Sequence, residues 1–561
     1  GGVASIGISA THALVIVEAA PAGDGATGDG GGGGEGDAHR EAAEAAEGRQ
    51  GTEVASGAEA VRGTGVASGA EAAQVTPGTQ VTPGTQPTRG MQAAPSTEPK
   101  PGMQVTPGMQ AAPGTQPTSG MQATPGTEPA PRTPDASPTP TTPDTAPPSP
   151  LPWVLSAGSP TALRAQVARL RDHLTAHPAL RPADVAYSLA TTRASLSHRA
   201  AVVGRDHGEL LLTLGELASG EPGGNLVEDV ARDPGRTVFV FPGQGSQWTG
   251  MAVALWNSSP VFRARMEACA AALAPHVDWS LRDVVFGVAD DCDKDRVDVV
   301  QPVLWAVMVS LAELWRSYGV EPAAVVGHSQ GEIAAACVAG ALSLDDGARV
   351  VALRSRLVGE CLAGAGGMVS VTAPVAEVRA RLEGFGGTLA LAAVNGPSSV
   401  VLSGDPDALD ELTADCERDG VRTRRIAVDY ASHSPQVELL RADLLTTLAG
   451  IRPRAGELPL YSTVTGGIVA GEELTADYWY RNLRRTVRLS DAVERLAATG
   501  HGTFVECSPH PVLSLGLTET LGGLGRDGLV TGTLHRDDGG LDRVQRPLGV
   551  GCGGGVWRGR E

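Results

Sequence analysis

Aromatic side chains are scarce in this chain: 6 Phe, 6 Tyr and 8 Trp among 561 residues, so Leu, Val and Ala must fill any core. Cysteine is nearly as sparse. The seven, at 269, 292, 337, 361, 416, 507 and 552, form no C-x-x-C pair and no metal-ligand spacing, which reads as reduced intracellular thiols. No run of 18 apolar residues occurs, nor a basic segment followed by a short apolar one, so neither a membrane span nor a secretory signal is expected. Positive charge is in deficit. With 44 Lys and Arg against 63 Asp and Glu, the formal net charge is -19, which argues against nucleic acid as a partner and for a soluble, acidic protein, while the thiols and the lack of span and signal lead to the expectation of a cytoplasmic location.

What the chain has in excess is glycine and proline, 74 and 40 residues, concentrated before residue 150. Residues 1–20 form a short apolar segment that reads as a strand too small to fold alone. The chain starts Gly1-Gly2 without Met, as expected of a piece of something longer. From about 21 to 150 the composition is of low complexity. VASGAEAV at 54 recurs as VASGAEAA at 66, and a six-residue unit of the type T-P-G-T/M-Q-x then runs nine times from Thr76 to Pro129. These units carry almost no apolar side chains, so stacking them would bury no core, and a long disordered linker is expected.

Folding signals resume at Leu151-Pro152-Trp153-Val154-Leu155, followed by a helical pattern from Thr161 to about His177 and an Arg/Ala-rich segment to about 235. From Thr237 apolar strands alternate with amphipathic helices. Strands are expected at 237–241, 323–326 and 503–505, and helices at 303–318 and 332–339. This alternation predicts an α/β fold with a parallel, hydrolase-like sheet. Between 363 and 430 the order reads βαββαβ, a ferredoxin-like unit inserted into the larger one. The tail after about Asp537 turns from a plausible helix into VGCGGGVWRGRE, which looks unlike either core.

The most informative stretch is Gly327-His328-Ser329-Gln330-Gly331, which follows the apolar run Ala323-Ala324-Val325-Val326. It reads as a nucleophile elbow: a buried strand, a sharp turn lifting a hydroxyl, then a helix whose free N–H groups favour an oxyanion. Chance alone supplies roughly 0.6 Gly-x-Ser-x-Gly matches in a chain this rich in glycine, so the strand–turn–helix context and partner residues carry the reading. Ser329 needs a base, and His433, where the inserted unit rejoins the large one, is the candidate. His328 reads as structural or pocket-lining, and His510 as a loop fixture. Phe241-Pro242-Gly243-Gln244-Gly245 is a second glycine-rich turn after a buried strand, able to complete an oxyanion hole with the N–H of Gln330. Arg354 lies among apolar residues and must find an anion, either a structural carboxylate or a substrate carboxylate.

FPGQGSQW at 241, GHSQGE at 327, Arg354, YASH at 430 and WYRNLRRTVR at 479 together resemble the acyltransferase domain of modular type I polyketide synthases, related to malonyl-CoA:acyl carrier protein transacylases. The resemblance covers about 150 to 540. It implies that Ser329 is acylated by a malonyl-type CoA thioester and that His433 acts as base and then acid, oriented by a backbone carbonyl. Gln244 and Gln330 would supply the oxyanion hole, and Arg354 would bind the free carboxylate. The phosphopantetheine thiol of an acyl carrier protein would then take the acyl group, with ping-pong kinetics and no permanently bound cofactor or metal. Tyr430 and Ser432 in YASH look like the methylmalonyl-selective version, since Ser432 in place of Phe leaves room for a methyl branch, and Gln330 points the same way.

The implied organisation is a ketosynthase remnant at 1–20, the disordered tract at 21–150 and a ketosynthase-to-acyltransferase linker domain at 151–235. The acyltransferase large part spans 236–362 and 431–525, its ferredoxin-like part 363–430, and a tail 526–561. The front segment GISATHALVIVEAAP resembles a ketosynthase end, departing from it at Ala10, His12 and Leu14. No ketosynthase cysteine motif is present, so no condensing activity is expected. Other synthase domains are expected partners. Two readings stay open: a serine hydrolase or editing thioesterase on the same elbow, and an inactive fragment of a synthase.

Overall fold

The computed structural model describes residues 149–232, 235–288 and 295–549. The expectations for the front segment, the repeat tract and the last residues of the tail lie outside the described residues. Three sheets organise the rest. The first holds β1 (Leu151–Ala157), β2 (His198–Gly204) and β3 (Leu226–Val230), antiparallel in that order. Helix Pro160–Ala176 starts where Ser159 accepts a hydrogen bond from the Ala162 N–H and a proline fills the first turn. Its Leu163, Val167 and Leu174 meet Trp153 and Leu155 of β1, and Leu210, Leu214 and Leu217 of helix His207–Ser219, in one small core. The Arg/Ala-rich segment thus contains this helix, another at Pro182–Thr191, and two strands.

The chain then enters a larger sheet with β4 (Arg236–Phe241) and β5 (Ala324–Gly327). It leaves for a smaller sheet with β6 (Gly367–Thr372), β7 (Leu389–Gly396), β8 (Ser399–Gly404) and β9 (Arg422–Ile426). It returns with β10 (Leu460–Ser462) and β11 (Gly467–Val469), lends β12 (Val487–Arg488) to the smaller sheet, and closes the larger one with β13 (His501–Glu506) and β14 (Leu529–Gly532). The orders are β11-β10-β5-β4-β13-β14 and β12-β7-β8-β6-β9.

The larger sheet is parallel except at one edge, where β11 runs antiparallel to β10. Only the turn at 463–466 joins those two strands, too short for the crossover that parallel pairing needs. In the smaller sheet, β6, β7, β8 and β9 are antiparallel neighbours with helices Val375–Leu382 and Pro406–Arg418 between them, which is the ferredoxin-like order. The α/β class and the inserted ferredoxin-like unit therefore stand as expected.

The main core is built around helix Val297–Ser317, which begins six residues before the expected Val303. It runs through Pro302, its sixth residue, where the missing N–H removes one helix hydrogen bond, to the Asp298 carbonyl, and the burial of the residues around it holds the helix together. Among the described residues it is the helix long and apolar enough to cross a membrane, yet 89% of that window is buried inside the protein. Trp305 and Trp315 on it are fully buried, so the few aromatics serve as core anchors. The first part of the tail also belongs to this core: Leu541, Val544 and Leu548 are buried in it, and Arg546 donates to Asn225 Oδ1 at 3.1 Å. The helix expected in the tail is Leu541–Gln545, and VGCGGGVWRGRE at 550–561 lies outside the described residues.

Candidate active site

Ser329 sits between β5 and helix Gly331–Val338 with a φ of 55°, a left-handed conformation unusual for a residue with a side chain. The flanking glycines are required by close approach. A Cβ on Gly327 would lie 2.2 Å from the Glu332 nitrogen, and one on Gly331 would lie 2.1 Å from the Phe241 carbonyl oxygen. The turn therefore wedges against the end of β4, and the hydroxyl is thrown outward.

His433 occupies the loop that follows β9 and also has a positive φ, 58°. Its Nε2 lies 2.8 Å from Ser329 Oγ, and its Nδ1 lies 2.7 Å from the Arg485 carbonyl oxygen. A carbonyl can only accept, so Nδ1 carries the proton and Nε2 is left to accept from the serine. The Arg485 carbonyl is itself held in place, because Thr486 donates to the Leu391 carbonyl at 2.7 Å and the chain continues directly into β12. Burial pushes the His433 pKa down to about 3, against the Arg485 hydrogen bond that raises it. The imidazole is neutral, and hence a base, across the physiological range.

Arg354, on helix Leu344–Leu362, is 1% exposed and has no carboxylate partner among the described residues. Its Nη2 donates to Asn482 Oδ1 at 3.2 Å and its Nη1 to Gln301 Oε1 at 3.5 Å, while Nε has no partner. Desolvation lowers its pKa to about 10, so it stays a cation. Tyr430, also buried, donates to Gln244 Oε1 at 2.9 Å and faces Gln301 Nε2 at 3.4 Å. Ser432 donates to Met368 Sδ on β6 at 3.4 Å. Asn482 closes the ring by donating to the Ser329 carbonyl at 3.1 Å.

The predicted residues thus converge, with distinctions. Ser329 and His433 are in direct contact, and Arg354 is joined to the elbow through Asn482. Gln330 is 1% exposed, and both side-chain amide atoms lack partners, as does its backbone N–H among the described residues. His328 Nε2 lies 2.8 Å from Asn395 Oδ1 on β7, tying the elbow to the smaller sheet, with its pKa lowered by burial. His510 accepts from the Arg536 N–H at 3.2 Å and stacks edge-on with His535, a loop fixture. Sequence reasoning missed Gln301, Asn482 and Glu332. The first two had a weak signal, amides set among apolar residues at VVQPVLW and WYRNL. A cavity of about 1010 Å³ and another of about 520 Å³ both reach Gln244. Ser329 and His433 line neither; Gln244 follows Gly243, which packs against the elbow, where a Cβ on Gly243 would lie 3.8 Å from Ser329 Cβ.

A serine hydroxyl on a strand–helix elbow, hydrogen-bonded to an oriented imidazole, defines a class of protein whose chemistry is acyl transfer through serine. The family model described as "Acyl transferase domain" matches residues 238–551, and "CurL-like, PKS C-terminal" matches 152–214. The acyltransferase domain from module 8 of the salinomycin polyketide synthase is 57% identical with a TM-score of 0.70, over 72% of this chain and 95% of that one. The acyltransferase domain of SpnD, in complex with 2-(pent-4-yn-1-yl)malonyl, is 30% identical with a TM-score of 0.64, over 72% of this chain and 97% of that one. The chain belongs to the acyltransferase domains of modular polyketide synthases. The spectinabilin polyketide synthase system protein NorA' of Streptomyces orinoci is 72% identical over 407 residues, 72% of this chain. This chain spans 11% of the length of that relative, and 7% of polyketide synthase GfsB of Streptomyces halstedii, 55% identical over 410 residues.

Proposed function

We propose that the chain loads a malonyl-type extender unit, with methylmalonyl preferred, from CoA onto the phosphopantetheine thiol of an acyl carrier protein. His433 Nε2 takes the Ser329 proton as Oγ attacks the thioester carbonyl. The resulting oxyanion is stabilised by the Gln330 N–H and the Gln244 turn. Collapse expels the CoA thiolate, which takes the proton back from His433, and leaves an acyl-serine. The carrier thiol then gives its proton to His433, attacks the acyl-serine, and Ser329 leaves with that proton, so the enzyme is regenerated in a ping-pong cycle.

The observation that carries this reading is the buried Arg354 guanidinium with no protein carboxylate among the described residues. A desolvated cation whose Nε points to no partner is complementary to the free carboxylate of a malonyl-type group. The SpnD relative supports it, since that acyltransferase domain forms a complex with a substituted malonyl. In this reading Tyr430 and Ser432 shape the space for the α-branch, His328 fixes the elbow, no cofactor or metal is resident, and the setting is cytoplasmic with ketosynthase and carrier domains as neighbours. Incubation with labelled methylmalonyl-CoA followed by peptide mapping tests it. Label on the Ser329 peptide that a carrier protein discharges supports transfer. Label discharged equally fast by water alone indicates a hydrolase, and no label on folded protein indicates an inactive fragment.

A further inference from the structure

Directly behind the nucleophile lies a buried acid that the reaction above does not use. Glu332, in the first turn of the helix after the elbow, is 0% exposed, and no ion pair reaches it among the described residues. Its Oε1 meets the Thr463 N–H at 2.8 Å and the Thr463 hydroxyl, and its Oε2 meets the Tyr478 hydroxyl. The Thr463 hydroxyl also lies 3.1 Å from the Gly327 carbonyl oxygen, and the Tyr478 hydroxyl 2.7 Å from Ser462 Oγ.

The protons in this cluster can be counted. Four oxygen–oxygen contacts need one proton each: Ser462 to Tyr478, Tyr478 to Glu332, Glu332 to Thr463, and Thr463 to Gly327. The three hydroxyls supply only three, and the Gly327 carbonyl supplies none. Ionised Glu332 would leave one pair of oxygens facing each other without a proton, buried, where an unsatisfied contact is expensive. Protonated Glu332 completes a single chain in which Ser462 donates to Tyr478, Tyr478 to Oε2, the acid proton to Thr463 Oγ1, and Thr463 to Gly327.

We propose that Glu332 is a neutral positioning residue of the acyl-transfer site, whose proton lets Thr463 hold the Gly327 carbonyl and so fixes the elbow that presents Ser329. Burial acts in the same direction, raising the Glu332 pKa to about 7 despite its hydrogen bonds. The charged and titratable groups that act on it are Arg354, from the helix packed beside it, and Tyr478. Ionisation would swing the Thr463 hydroxyl onto the carboxylate and release Gly327, two residues before the nucleophile. The proposal rests on the acyltransferase reading for its kinetic consequence, though not for the protonation state.

Two measurements on the full chain test it. Infrared difference spectra of wild type against Glu332→Gln near pH 6 are expected to show a protonated carboxyl C=O band lost in the variant. Loss of carboxylate bands alone would overturn the proposal. Single-turnover acylation of Ser329 by methylmalonyl-CoA is then followed from pH 6 to 9. The wild-type rate is expected to fall at least about threefold along an alkaline limb, and Glu332→Gln, slower than wild type but faster than Glu332→Ala, to lack that limb. Identical pH profiles for wild type and Glu332→Gln would overturn it. No acylation of wild type by any CoA thioester would refute the acyltransferase reading instead, and the infrared result would still decide whether Glu332 is neutral. Should Glu332→Gln fail to fold, selectively labelled glutamate in wild type gives the infrared answer, and Thr463→Val, expected to lose the same limb, gives the kinetic one.

Discussion

Replacing Arg354 by Met separates what this residue does for the fold from what it does for the substrate. In the free protein the guanidinium is 1% exposed, faces two neutral amides and leaves Nε unpartnered. Its pKa falls from 12.5 to about 10, so at neutral pH the folded state holds a charge that is costlier there than in the unfolded chain by about 3 kcal/mol. The sign is clear. At pH 7 both states carry the proton, so this penalty is constant until the pH approaches 10. Met fills a similar volume without the charge, and Gln301 and Asn482 lose one weak partner each, so the thermal midpoint of Arg354→Met should not fall. Acylation should behave oppositely. Under the proposed function, losing the buried, charge-assisted clamp on the substrate carboxylate costs about 3–5 kcal/mol, or roughly 10² to 10⁴ in kcat/KM for methylmalonyl-CoA. Acetyl-CoA has no carboxylate and should lose far less. The assay is stopped-flow CoA release with both thioesters alongside thermal melting. Equal losses for the two substrates, or a midpoint lowered by several degrees, would refute the reasoning.

Three other outcomes follow from the same geometry. Ser432→Phe should shift competition between malonyl- and methylmalonyl-CoA toward malonyl by about 10-fold, in the range one methyl group can discriminate, read as the ratio of acyl masses. Gly331→Ala places a Cβ 2.1 Å from the Phe241 carbonyl and should lower stability by more than about 3 kcal/mol in urea denaturation, whereas Gly215→Ala, where nothing lies within 4 Å, should not. His433, lowered from 6.5 to about 3, leaves more protons on the unfolded chain as pH falls, so stability should be lost progressively below pH 6.5, and less steeply in His433→Gln.

The elbow was legible in sequence because its constraint is local: two glycines, one buried strand and one helix start within ten residues. The ferredoxin-like unit was legible for a similar reason, since β6 to β9 and their helices alternate at regular spacing. Short elements escaped. Strands β10, β11 and β12 have 3, 3 and 2 residues, too few to show a period, and they exist because neighbours in the sheet hold them. The start of helix Val297–Ser317 was hidden by Pro302. In the site, Ser329, His433 and Arg354 stood out because a serine on a strand–helix elbow, a histidine where the inserted unit rejoins and an arginine among apolar residues are rare in such surroundings. Asn482 and Gln301 were not, because an amide acquires meaning only from partners 153 and 53 residues away. Arg485 contributes a backbone carbonyl, which any residue could supply.

The central claim is that Ser329 carries a carboxylated acyl group on its way to a carrier thiol. Intact-mass and peptide mass spectrometry of the full chain, exposed at once to equal concentrations of malonyl-, methylmalonyl- and ethylmalonyl-CoA, tests it most directly. The account predicts a single adduct on Ser329, methylmalonyl in excess, absent from Ser329→Ala and cleared on adding a carrier protein. An adduct on any other residue, or a folded protein that stays unmodified, would contradict it.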